Sequence, residues 1–135
     1  MKKRILLGVA MAVLLICATA HAQVGQVFDM EGDALSYEKL STITTATGFT
    51  TTKVTLDTYQ GKRNAKAVLI SVEAAAVRFT LDGTTPVVTA TSNGTGHLLN
   101  SGDSYVIRGY GNIQRFQCIN AVDSSGALVF VTYFY

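Results

Sequence analysis

The clearest regularity along the chain is an alternation with a period of two. Val68, Ile70 and Val72 fall on one face of residues 66–73, and Val77, Phe79 and Leu81 repeat the pattern after a bend at residues 74–76. Each run predicts a strand that buries one side. Turn residues mark the remaining boundaries. Two threonine-rich runs, residues 41–46 and 51–59, predict strands parted near Gly48, the second with Val54, Leu56 and Tyr59 as its apolar side. Residues 60–64 predict a basic loop, and residues 82–86 a turn around Gly83 and Pro86. Further strands are expected over residues 87–90 and 104–108, with tight connections at residues 93–96, 100–103 and 109–112. Residues 113–122 and 127–135 are expected to pair as a hairpin across residues 123–126. No long segment carries a 3.6-residue apolar stripe, and residues 34–39 are the lone candidate for a short helix beyond the leader.

These segments amount to seven or eight short strands at roughly ten-residue spacing, an all-β pattern that fits a single antiparallel β-sandwich or jelly roll. Its abundant Thr, Val, Ile, Phe and Tyr agree, since β-branched and aromatic side chains fit a pleated, half-buried surface. The last strand is apolar on both faces. Leu128, Phe130 and Phe134 point one way, and Val129, Val131, Tyr133 and Tyr135 the other. It is therefore either central and covered on both sides, or open on one face to another subunit or a packed arm. Phe130, Tyr133, Phe134 and Tyr135 are the candidate association surface.

Charge changes the picture once the N-terminus is read separately. Residues 1–22 have the form of a secretory signal: Lys2, Lys3 and Arg4, an apolar run over residues 5–18, and Ala20-His21-Ala22 as a small-residue cleavage site. The predicted organisation is a signal helix over 1–22, a flexible arm over 23–37 and a sandwich domain over 38–135. The fourteen-residue apolar run is shorter than the roughly 20 residues a membrane-spanning helix needs, so no membrane association is expected after its removal. Cys17 follows Ile16, whereas a lipid-modified cysteine normally follows a small residue. An alternative start at Met30 would make the leader an upstream extension. The whole chain of 135 residues carries +2, but three of its cations lie in the leader. The rest has eight basic and nine acidic residues, a balance that gives no support for nucleic-acid binding.

Past the leader there is one cysteine, Cys118, and one histidine, His97, which excludes an internal disulfide framework and a multi-histidine metal site. Cys118 sits in an apolar run and is expected to be a small buried hydrophobe, with intermolecular pairing as the alternative. His97 has no G-x-S-x-G partner, so a catalytic triad is not expected and no catalytic residue is assigned. Asp82 and Asp103 flank turn glycines, where Asp bonds nearby amides. Asp29-Met30-Glu31-Gly32-Asp33 lacks the ligand spacing of a calcium loop. There is no phosphate loop or dinucleotide fingerprint, and no cofactor is expected. Lys62, Arg63 and Lys66 read as a solvated turn. Asn93-Gly94-Thr95 matches a glycosylation sequon behind a leader of bacterial type. Asp82, Tyr105 and Tyr110 are candidate ligand-facing loop residues for a glycan.

Several motifs in order carry a resemblance. Tyr37-Glu38-Lys39-Leu40, Ala67-Val68-Leu69-Ile70-Ser71-Val72-Glu73, Val77-Arg78-Phe79-Thr80-Leu81-Asp82-Gly83-Thr84-Thr85-Pro86, Gly96-His97-Leu98-Leu99, Ser101-Gly102-Asp103, Asn112-Ile113-Gln114-Arg115-Phe116 and Phe130-Val131-Thr132-Tyr133-Phe134 resemble a family of small β-sandwich proteins of tailed bacteriophages and prophages. The resemblance spans residues 37–135. It implies a non-enzymatic structural protein that decorates or cements a virion head through a protein partner or self-association. Residues 79–86 are also similar to a turn in immunoglobulin-like accessory domains of secreted chitinases and hexosaminidases, which implies an exported module that binds a glycan or cell surface. Localisation divides in the same way, with periplasmic or extracellular export if the leader is used and a virion if translation starts at Met30.

Overall fold

A computed structural model of the chain describes residues 32–41, 44–88, 94–123 and 125–135. The signal segment, the arm up to residue 31, Met30 and Asn93 of the sequon lie outside the described residues. The described chain is all-β. Nine short strands form antiparallel sheets, in the order β1 (Ala34–Ser41), β2 (Thr55–Thr58), β3 (Gly61–Asn64), β4 (Ala67–Glu73), β5 (Val77–Thr80), β6 (His97–Leu99), β7 (Ser104–Arg108), β8 (Gln117–Asn120) and β9 (Leu128–Phe134). Two short helices, α1 (Thr51–Val54) and α2 (Tyr110–Arg115), complete the set. A four-stranded sheet runs β1-β9-β4-β7, a three-stranded sheet runs β6-β5-β8, and β2-β3 form a separate ribbon.

The two larger sheets face each other across one core, as a sandwich requires. Val68, Ile70 and Val72 of β4, Ile107 of β7, and Val129, Val131 and Tyr133 of β9 fill it from one side. Val77 and Phe79 of β5, Leu99 of β6 and Cys118 of β8 fill it from the other. Phe116 stacks on Phe49 at 4.0 Å between centroids, and Phe49 meets the edge of Tyr133 at 5.6 Å. The period-two segments of the sequence are therefore the two walls of the core.

The expected hairpin of residues 113–122 with 127–135 does not form. β8 pairs with β5, with Phe79 opposite Cys118, whereas β9 lies between β1 and β4 in the other sheet. The connection crosses from sheet to sheet and is fastened by Asn120, whose Oδ1 accepts the Ala127 amide at 3.3 Å. Residues 113–115 belong to α2 instead of a strand, because Gly109 at φ 85° turns the chain so that the Asn112 and Ile113 amides both bond its carbonyl. Residues 34–37, placed in the arm, are the start of β1, and the helix considered over 34–39 is this strand. Residues 51–59 split into one helical turn and β2, and the basic loop is largely strand β3, with Asp57 opposite Lys62.

Candidate functional site

Where β5, β6 and α2 end near one another, a cleft of about 560 Å³ opens. Its walls include Thr80, Asp82, Thr84, His97, Asn112 and Arg115. Local structure fixes each of them. The Thr84 amide donates to Asp82 Oδ1 at 2.9 Å, the Asx turn expected of this loop, and the Thr80 hydroxyl donates to the Thr84 carbonyl. The Thr84 amide, then the Thr84 side chain, hold the Asp82 carboxyl below its ordinary value, with the Arg115 charge adding a smaller pull. Arg115 is aligned by its own helix. Its Nε donates to the Gly111 carbonyl at 3.0 Å, and its aliphatic stem lies beside Gly83. Asn112 donates its Nδ2 to the Arg108 carbonyl at 3.0 Å, which leaves its side-chain oxygen as an acceptor. Thr95 accepts the Val87 amide on its hydroxyl at 3.0 Å and returns its own amide to the Val87 carbonyl, which ties together the chain after β5 and the chain before β6. His97 is exposed on β6, with its ring 5.4 Å from Phe79.

Of the three candidate ligand-facing residues, Asp82 lines the cleft. Tyr105, 40% exposed on β7, packs its ring 5.3 Å from the same Phe79 but does not line the cleft. Tyr110 is not a loop residue. It begins α2, packs half-buried against the core, and its hydroxyl meets Thr55 Oγ1 at 3.1 Å and accepts from Gln114 Nε2 at 3.3 Å. Arg115 and Asn112 were not singled out in sequence. Their signal is hidden because residues 109–112 read as a tight connection and residues 113–122 as a strand, so positions 112 and 115 have no reason to face a common cleft.

The four candidate association residues divide by face. Tyr133 and Tyr135 are in the core, 0% and 2% exposed, because β9 is an interior strand whose Val129, Val131, Tyr133 set faces the opposite sheet. The Tyr133 hydroxyl donates to Glu38 Oε1, and the Tyr135 hydroxyl to the Lys53 carbonyl. Neither ring can be a docking surface in the folded chain. Phe130 and Phe134 point outward and are half-buried. Register places Lys39 and Ser71 on either side of Phe130, and Tyr37 and Leu69 on either side of Thr132. Val106 lies beyond Leu69 on β7. Tyr37, 54% exposed, stacks on Phe130 at 6.4 Å. The outer face of the four-stranded sheet thus carries five large apolar side chains, Tyr37, Leu69, Val106, Phe130 and Phe134, interspersed with Lys39, Ser71 and Thr132.

No family model and no curated protein matches the chain. Cys118 is fully buried, and its sulfur lies 3.6 Å from the Thr47 carbonyl. Burial, and secondarily the charge of Glu38, push its thiol up to about 12, so it offers no nucleophile at neutral pH. Among the described residues no three His, Cys, Asp or Glu side chains are grouped to hold a metal, and no helix is long and apolar enough to cross a membrane.

Proposed function

We propose that this chain is a non-catalytic β-sandwich that works by protein–protein association, of the kind that decorates phage heads, and that it pairs with a second copy through the outer face of its four-stranded sheet. The observation that carries the reading is the apolar band of Tyr37, Leu69, Val106, Phe130 and Phe134 across all four strands. A sheet covered on one side ordinarily alternates apolar in and polar out, whereas here five large apolar side chains stand on the outer face among Lys39, Ser71 and Thr132. Two copies related by a twofold axis would set the same band against itself, the self-complementary arrangement that closes a dimer without leaving an open edge. Export by the leader, or residence in a virion after initiation at Met30, is part of the same proposal. Mass spectrometry of the native N-terminus distinguishes the two.

Sedimentation velocity across a concentration series tests the association. The protein is expected to move from monomer to dimer, and Phe130→Lys, which sets a charge among these side chains, is expected to hold it monomeric while it still unfolds in one cooperative transition, at a midpoint lowered by loss of the Tyr37 stack and of the dimer. A wild-type protein that stays monomeric at every concentration and fails to bind phage heads would sink the proposal.

A further inference from the structure

The cleft between β5, β6 and α2 carries chemistry that the association reading does not use. Asp82 offers carboxylate oxygens and Asn112 an amide oxygen, both acceptors. Beside them Arg115, with Nε committed to Gly111, can present only its terminal NH2 groups, while the Thr84 hydroxyl is engaged by Asp82. An anionic ligand would meet Asp82, and a cationic one would meet Arg115. A ligand group that donates and accepts at once satisfies both, and adjacent hydroxyls on a sugar ring do so. The imidazole of His97, exposed and backed by Phe79, supplies a flat surface at the side for the apolar face of such a ring. The space, about 560 Å³, is within the range of small-ligand sites.

We propose that this cleft is a binding site for a neutral saccharide, with Asp82 and Arg115 as the paired acceptor and donor, Asn112 as a second acceptor and His97 as the stacking surface. The site is independent of the outer sheet face, so it stands or falls separately from the dimer.

The test is titration of the full folded protein, followed by amide chemical shifts and calorimetry, with four probes: chitotetraose, maltotetraose, cellotetraose and tetragalacturonate. At least one neutral tetrasaccharide is expected to shift the amides of Thr84, Thr95, His97 and Asn112. Its affinity should be indifferent to salt, as attraction between charges would not be. Asp82→Asn keeps the turn acceptor for Thr84, and Arg115→Lys keeps the charge but loses the fork, so both variants should fold. Each is expected to weaken binding by about tenfold or more, the usual cost of removing one partner of a charged hydrogen bond. Phe130→Lys should leave binding unchanged. No shifts from any neutral probe at about 10 mM, weaker than which binding carries no useful specificity, would overturn the proposal. So would shifts centred away from the cleft, preferential binding of the galacturonate, or unaltered affinity in both variants.

Discussion

At the scale of single residues, the core is built around polar groups that must stay neutral. Cys118 is the clearest. Its thiol, surrounded by side chains from both sheets and shielded from water, holds its proton to about pH 12, whereas the unfolded chain releases it near 9. Below pH 9 the thiol is protonated in both states and its contribution is fully present. Between pH 9 and 12 the unfolded chain binds fewer protons than the folded one, so stability falls as pH rises. Tyr133 acts in the same sense at higher pH, its phenol raised first by burial and then by its hydrogen bond to Glu38. Urea midpoints measured from pH 8 to 11 are therefore expected to decline, and Cys118→Ala is expected to flatten the first part of that decline. With Cys17 replaced by Ser, native protein at pH 8 should react with a thiol reagent at Cys118 only through unfolding. Rapid labelling would contradict this placement of the sulfur. The sequence disclosed the cysteine as a small buried hydrophobe, but Tyr133 and Tyr135 were ambiguous there, since alternation identifies two faces without saying which meets the opposite sheet.

At the scale of elements, the legible strands were those whose own side chains decide the matter. β4 and β5 bury alternate residues, and β7 is bounded by the Gly102-Asp103 turn and Gly109, so local pattern and tertiary position agree. The failures concern pairing and short helices. Residues 123–126 carry the turn chemistry of a hairpin, yet the same chemistry serves a crossover between sheets, and only packing of β9 between β1 and β4 selects it. Likewise Thr51–Val54 forms a helical turn despite threonine's poor propensity, because Val54 is drawn into the core. The cleft depends on one such element junction. Gly96, where the chain enters β6, has φ +101°, and a Cβ there would lie 2.8 Å from the Phe79 carbonyl oxygen. Gly102 has φ +91° with open space around its Cβ position. Both alanine variants adopt a disfavoured backbone, at a cost of about 1 kcal/mol or more, but only Gly96→Ala also has to push β5 and β6 apart. Chemical unfolding should show Gly96→Ala clearly less stable than Gly102→Ala, and the amides of Thr95 and His97 should move in the first variant alone. Equal midpoints for the pair would mean that the β5–β6 contact is looser than this geometry requires.

At the scale of the whole molecule, two exposed regions compete as the assembling surface, and they differ in physical character. One is the apolar band around Phe130. The other is the β2–β3 ribbon, whose strand β3 is exposed throughout and carries Lys62 and Arg63, with Tyr59 fully exposed at its tip. Contacts made by cations in water are screened over about 10 Å at 0.1 M salt, whereas apolar burial is undiminished or strengthened by it. The near balance of eight basic and nine acidic residues beyond the leader gives no long-range attraction between copies to offset that screening. Raising sodium chloride from about 0.05 to 1 M should therefore leave the dimer fraction unchanged or increase it if the sheet face is the interface. Arg63 must be treated with care in the comparison, because its Nη2 donates to the Tyr135 carbonyl at 3.3 Å and helps fasten the ribbon to the domain. Lys62→Ser is the cleaner probe, since it removes the charge without touching that bond or setting a second carboxylate opposite Asp57. If association is lost in high salt and in Lys62→Ser but survives Phe130→Lys, the ribbon assembles the protein and the outer sheet face does not.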